Sequence, residues 1–153
     1  MSATERLKAL GVTLPQPAAA IAAYVPFVRT GNLVFISGQL PLADGKVSQT
    51  GLLGDAVSID QGKEAARICA INLLAQLQAA AGSLDKVKRV VRLGGFIAST
   101  PEFAEHAKAM NGASELMEAV FGDAGRHART TIGVASLPLG AAVEVEGLFE
   151  LME

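Results

Sequence analysis

Arg129 stands near the start of a strand-like segment, in His127-Ala128-Arg129-Thr130-Thr131. A guanidinium at a strand end, beside a turn, can hold a planar carboxylate through two parallel hydrogen bonds. A solvated surface ion pair is the plainer reading of the same residue. Glu144 is the first acid of the alternating Val143-Glu144-Val145-Glu146 segment. A carboxylate projecting from a strand near an arginine can bind and activate water. The wet face of an antiparallel sheet gives the same alternation, and Glu146 and Glu150 read as that face. Ser37-Gly38-Gln39 closes an apolar run. A hydroxyl followed by a residue without a side chain lets backbone N–H groups approach a carbonyl or carboxylate; a strand-ending turn looks alike. Tyr24, the only tyrosine, can line a pocket and point its hydroxyl at a ligand, or sit half-buried in the core.

The remaining candidates are weaker. His127 shares strand parity with Arg129, so the two face the same way. His106 falls in a predicted helix, and the two histidines lack metal-ligand spacing. Cys69, among Ile68, Ala70 and Ile71, reads as an inert buried thiol. Lys86, Lys88, Arg89 and Arg92 form a basic cluster. Such a cluster can meet RNA phosphates, but charges guarding the wet edge of a strand are commoner. No Gly-x-Ser-x-Gly elbow occurs, which argues against an α/β-hydrolase nucleophile.

The elements that must position these residues follow from punctuation and period. Ala3 to Leu10 reads as a short helix stopped by Gly11. Val25 to Val28 and Leu33 to Ser37 read as strands of a hairpin turning at Thr30-Gly31-Asn32. The second is continuously apolar, as in a strand covered on both faces. Gln39 to Asp55 is a long loop with a short strand near Val47. Ser58-Ile59-Asp60-Gln61 is a capping box that opens a helix ended by Gly82. Lys86 to Ala98 is a strand in which Gly94-Gly95 marks a bulge or a close backbone approach. Thr100-Pro101-Glu102 opens a second long helix, with Pro at its first position, running to Val120. Arg129 to Ser136 and Val143 to Leu151 are strands joined by the Leu137–Gly140 turn. In the last strand Val143, Val145, Phe149 and Leu151 share one face and the glutamates the other. The order (α)ββ–α–β–α–ββ suits one mixed sheet with both long helices on one face.

The 153 residues make one domain, 1–153, with 1–17 as an N-terminal extension carrying the short helix. Half the chain is hydrophobic and the net charge is −2. The first excludes disorder, and the second argues against bulk electrostatic binding of nucleic acid. One cysteine excludes an internal disulfide framework and a Cys-rich zinc site. No apolar run reaches the roughly 18 residues of a membrane span. The run Ala18 to Ala23 has no apolar stretch before it, so no signal peptide is read and a cytoplasmic location is expected. So many apolar residues in so small a domain also point to a buried subunit interface.

Together the segments form a specific arrangement. Tyr24 precedes Gly31-Asn32-Leu33-Val34-Phe35-Ile36-Ser37-Gly38-Gln39-Leu40-Pro41. A helix with Asn72 and Ala79-Ala80-Ala81-Gly82-Ser83-Leu84-Asp85-Lys86-Val87 follows, and the chain closes with Ala128-Arg129, Leu137-Pro138 and Val143-Glu144-Val145-Glu146. From about Ala20 to the C-terminus this resembles the RidA family, also called the YjgF family. The resemblance implies a chorismate-mutase-like α+β fold, assembled as a homotrimer with sites in clefts between subunits. It implies hydrolysis of reactive enamines and imines, such as 2-aminoacrylate, to 2-oxo acids and ammonia, with no cofactor and no metal. By motif position Arg129 is similar to the family's carboxylate-binding arginine and Glu144 to its water-positioning glutamate. Tyr24, Ser37 and Gly38 match pocket residues, and the family's helix asparagine falls on Asn111 or where Ser114 stands. Thr131 replaces a cysteine common in the family. With the extra N-terminal helix, the chain resembles a longer subgroup often labelled endoribonuclease-like.

If the Leu137–Gly140 turn joins a hairpin, Glu144 pairs near Gly133 or Val134. Arg129 then lies about 15 Å away, too far for one small substrate to touch both. Cooperation would require Glu144 of a neighbouring chain, hence an obligate oligomer. The expected partner is a carboxylate-bearing imine, held by Arg129 with help from backbone N–H groups near Ser37-Gly38 and Thr131. The competing expectations are carboxylate binding without turnover, RNA cleavage or translation inhibition, and a purely structural trimer.

Overall fold

The computed structural model describes residues 1–20 and 22–153; Ile21, within the small-residue run, lies outside them. In chain order the elements are α1 (Ala3–Ala9), β1 (Phe27–Thr30), β2 (Leu33–Gln39), β3 (Leu42–Ala43), β4 (Lys46–Val47), α2 (Ile59–Ala81), β5 (Val87–Ala98), α3 (His106–Phe121), β6 (Ala128–Val134) and β7 (Val143–Leu151). Five strands form one mixed sheet in the order β1-β2-β7-β5-β6, and β3 and β4 form a separate small ribbon. All pairs in the large sheet are antiparallel except β5–β6.

Local chemistry explains most of the boundaries. Ser58 caps α2 with both halves of the capping box in place, and Gly82 ends it in the left-handed conformation at φ 86°. An equivalent box at Ser2 opens α1. Gly31, at φ 59°, sits in the two-residue turn between Thr30 and Leu33, which pair directly. The glycine tolerates that φ because it has no Cβ.

The helices α2 and α3 lie together on one face of the sheet. Val34, Ile36, Leu93, Ile97, Val143, Val145, Phe149 and Leu151 point into that side and pack with Cys69, Leu73 and Leu77 of α2 and Met110, Ala113 and Met117 of α3. Burying each large apolar side chain is worth about 1.5–3 kcal/mol, so this layer supplies the main driving force. The helices cross without a gap, because a β-carbon on Gly112 would fall on the carbonyl oxygen of Lys63. Among the described residues no helix is long and apolar enough to cross a membrane.

Three sequence expectations are corrected. First, β6 and β7 are not a hairpin: β5 runs between them, parallel to β6 and antiparallel to β7. The 137–140 segment is a 3-10 turn with Leu139 at φ 58°, and the chain crosses β5 as it reverses direction. Second, α3 begins at His106, not at Pro101. The Thr100 N–H donates to the Leu53 carbonyl, while the Leu53 N–H donates to the Ala98 carbonyl, and this pairing holds Thr100 extended. Third, β2 is not covered on both faces in the single chain. Phe35 is 46% exposed, and Val28 and Ile132 on the same outer side are 52% and 47% exposed. Of the two readings of Gly94-Gly95, the close approach is the one present, by Glu146 and Met110 respectively; the register shifts lie earlier, between Val87 and Arg89 and between Val90 and Arg92.

Helix α1 is tethered by Asp85, whose Oδ1 accepts the Thr4 N–H at 2.9 Å. That bond holds the Asp85 carboxyl below its usual range. A lowered carboxyl contributes its stabilisation above the unfolded-state pKa and loses it as pH falls through the folded value. Asp85→Asn is therefore expected to speed amide exchange in residues 3–9 at neutral pH. The global transition should barely move, and the difference from the parent chain should fade in acid.

Candidate functional site

The residues singled out in the sequence fall into two clusters. The first gathers on α3 and the start of β6. Arg129 Nη1 donates to Asn111 Oδ1 at 2.9 Å and to Ser114 Oγ at 3.1 Å. Asn111 and Ser114 are thus not alternatives: being three apart on one helix face, both reach the guanidinium. Two N–H bonds use up Nη1, and among the described residues Nε and Nη2 have no partner. His127 faces the same side, as its parity with Arg129 indicates. Its Nε2 is 2.9 Å from Ser114 Oγ and its Nδ1 is 2.6 Å from the Gly125 carbonyl. Arg129, Ser114, His127 and Gly125 line a cleft of about 250 Å³ together with Glu118 and Arg126. Thr131 lies two residues beyond Arg129 on the same face. Its Oγ1 is buried and is the one such side-chain atom without a partner among the described residues.

The second cluster lies around the start of β7. β2 carries a register shift between Ile36 and Gln39, and bulges of this kind re-aim residues beside sites. Here the bulge lays Gly38 against Glu144. A β-carbon at Gly38 would collide with Glu144 Oε2, so the missing side chain makes room for the carboxylate itself, not only for a ligand. Ser37 Oγ donates to the Val25 carbonyl at 2.8 Å, tying the 22–26 loop to β2. That loop presents Tyr24, which is 50% exposed and therefore not a core residue. Tyr24 lines an apolar cleft of about 100 Å³ with Ala18, Pro26, Gly38, Leu40 and Leu139.

Partial burial pushes the Glu144 carboxyl above its usual range, and Glu146 on the same face adds to the effect. A raised carboxyl favours the protonated form in the fold, so its charge opposes folding at neutral pH and the penalty disappears below the unfolded-state pKa. Glu144→Gln is expected to raise Tm slightly at pH 7. Solvent screening limits the gain to a few tenths of a kcal/mol, about 1 °C, and it should vanish near pH 4, below the usual carboxylate value of about 4.3.

The two clusters do not meet within one chain. Arg129 is level with Leu93 and Gly147, whereas Glu144 is level with Phe96 and Ile132. They are separated by three residues along the strands, about 10 Å, and two strand spacings across, again about 10 Å. More decisively, Arg129 projects to the helix side of the sheet while Glu144 projects to the outer side, where Val143 and Val145 alternate away from it into the core. The hairpin premise was wrong, yet the separation it suggested is present and is reinforced by opposite facing.

The other candidates settle simply. Cys69 is fully buried, and burial pushes its thiol well up. His106 touches Ser99 at 3.4 Å and packs edge-on against Phe103. Lys88 and Arg89 occupy the first half of β5, which has no β6 partner, since that pairing begins at Arg92. They guard an open edge there. Among the described residues no three His, Cys, Asp or Glu side chains gather as metal ligands do. Sequence reasoning set aside His127, although its strand parity with Arg129 was the available signal.

A family model described as "YjgF/chorismate mutase-like, putative endoribonuclease" matches residues 4–151. The chain is 49% identical to Protein TCP17 of Trypanosoma cruzi over 95% of its own length and 91% of that protein's. It superposes on the crystal structure of Atu1372 from Agrobacterium tumefaciens, a protein described as of unknown function, with TM-score 0.91 and 49% identity, covering 97% of this chain and 92% of that one. It also matches E. coli TdcF with bound serine, with TM-score 0.63 and 25% identity over 88% and 92% of the two chains. With the mixed sheet and the helix layer these matches leave one assignment: the chain belongs to the YjgF/RidA-like family.

Proposed function

We propose that the protein hydrolyses reactive enamines and imines of the 2-aminoacrylate type to 2-oxo acids and ammonia, in clefts between subunits of a homotrimer. The observation that carries this reading is the state of Arg129. Asn111 and Ser114 pin the guanidinium through one nitrogen, which leaves the parallel Nε and Nη2 donors for a carboxylate. The serine in TdcF, itself a carboxylate beside an amine-bearing carbon, is a ligand of the same kind.

The opposite facing of Arg129 and Glu144 and the exposed apolar residues of the outer sheet face both support assembly. Phe35, Val28 and Ile132 would be covered by a neighbour's surface, and that neighbour would bring its own Arg129 towards Glu144. A patch of this kind on a small domain is what subunit interfaces cover.

In the reaction the enamine first tautomerises to the imine. Arg129 holds the carboxylate and so fixes the adjacent imine carbon. Glu144 takes a proton from a water, whose oxygen bonds to that carbon while the C=N electron pair moves onto nitrogen. Glu144 passes that proton to the nitrogen to give the neutral carbinolamine, then relays the hydroxyl proton to the amine as the C–N bond breaks and the C=O bond forms, giving ammonia and the 2-oxo acid. A carboxyl with a raised affinity for protons suits this exchange.

The test is a coupled assay that follows 2-oxo acid release from freshly generated 2-iminopropanoate. Acceleration above the spontaneous rate supports the reading. Thermal protection by 2-oxo acids without acceleration would reduce the protein to a carboxylate binder.

A further inference from the structure

We propose that His127 is a positioning residue: acting through the Ser114 hydroxyl, it fixes which edge of the Arg129 guanidinium is offered, so that the cleft selects planar carboxylates approaching side-on. The inference rests on the reading of Arg129 as the carboxylate clamp.

The argument is one of donors and acceptors. The Gly125 carbonyl can only accept, and it lies 2.6 Å from His127 Nδ1. Nδ1 must therefore carry the proton, and in the neutral ring Nε2 is left as a bare acceptor. Ser114 Oγ lies 2.9 Å from that nitrogen, so the serine gives it its only proton. The oxygen lone pairs are thereby turned away from His127, towards Arg129 Nη1 at 3.1 Å. A helical serine without such a partner turns its proton back to the carbonyl four residues earlier, here that of Met110.

With Ser114 so oriented, Ser114 Oγ and Asn111 Oδ1 each take one of the two Nη1 hydrogens. The guanidinium cannot then swing its Nη1/Nη2 end towards a ligand. It offers the Nε/Nη2 edge, whose parallel N–H bonds match the two oxygens of one carboxylate. The chain Gly125–His127–Ser114–Arg129 runs along the wall of the 250 Å³ cleft. Its members come from the middle of α3, the connection that follows it and the start of β6, so folding of that corner sets the clamp before any ligand arrives.

Two experiments test this. Long-range ¹⁵N correlation spectra of the wild-type imidazole at pH 8 should show a protonated Nδ1 and a pyridine-type Nε2 at His127; the opposite tautomer overturns the proposal. Kinetics with 2-iminopropanoate supply the second readout. Ser114→Ala and His127→Phe should each raise KM about tenfold with kcat little changed, the pattern of lost binding common to ground and transition states. His127→Gln keeps an acceptor towards Ser114 and should recover most of the affinity lost in His127→Phe. Unchanged KM in both Ser114→Ala and His127→Phe, with Arg129→Ala inactive, overturns the positioning role and spares the clamp. Full activity of Arg129→Ala overturns the clamp and this inference with it.

Discussion

Arg129→Ala and Glu144→Gln should each lose at least about a hundredfold of imine hydrolysis, the usual loss when a charged contact or an acid–base group is removed. An equal mixture of the two inactive chains, unfolded and refolded together, should recover about a quarter of the parental activity in a closed ring. The recovery follows from the facing of the two side chains. Arg129 leans under α3 while Glu144 lies against Gly38 on the far side of the sheet. No rotamer brings them together in one chain, so each working cleft would take its arginine from one subunit and its glutamate from the next. In a randomly mixed ring, half the clefts have an intact arginine donor and half of those an intact glutamate donor. If the two residues acted within one chain, the mixture would stay at background. The Arg129→Ala protein should keep the oligomeric mass of the parent, since its guanidinium bonds Asn111 and Ser114 of its own chain.

Gly112→Ala should be among the most damaging small substitutions in the fold. At an ordinary helix position the added methyl would help by about 1 kcal/mol through helix propensity. Here it would land on the Lys63 carbonyl oxygen, with the carbonyl carbon 2.8 Å away. Backbone cannot turn aside as a side-chain tip can, so α2 and α3 would have to part along the packed seam formed by Ala66, Ala70, Ala109 and Ala113. Overpacking of this kind costs about 1–3 kcal/mol, and more where main chain must move. We expect a loss of about 3 kcal/mol or more, seen as a fall in Tm of about 10 °C. Gly62→Ala is the matched control: the new methyl would meet only the side-chain carbons of Leu53, which can repack, so its loss should be clearly smaller. Equal melting of the two variants would show that the helices part more easily than the contact implies.

The elements that were legible are those whose signal is local. The Ser58 box, the Gly82 stop and the Gly31 turn each hold their own backbone, and each stands where the residues place it. The alternation in β7 predicted which glutamates leave the core, because a strand has only two faces. What failed needed partners distant in sequence. The Leu137–Gly140 turn looks like a hairpin turn, yet β5 takes the place beside β7, and nothing within residues 129–151 announces it. Pro101 looks like the first residue of a helix, but pairing with Leu53 holds Thr100 extended and a turn closed by the Phe103 N–H on the Thr100 carbonyl follows, so the helix begins only at His106. In the candidate site, Arg129 and Glu144 were visible as residue types and motif positions. The bonds from Asn111 and Ser114 were not, because they depend on where α3 crosses β6. Gly38 was read as an opening for a ligand, whereas the carboxylate of Glu144 already fills it.

The opposed placement of Arg129 and Glu144 has a kinetic corollary. A freshly synthesised subunit, fully folded but solitary, would be catalytically silent, and specific activity would switch on only as chains find one another. Serial dilution should then lower turnover per chain faster than linearly, and recovery on reconcentration should lag with the kinetics of encounter. The proposed imine hydrolysis would thus scale with how much of this protein a cell holds, not merely with whether it is present.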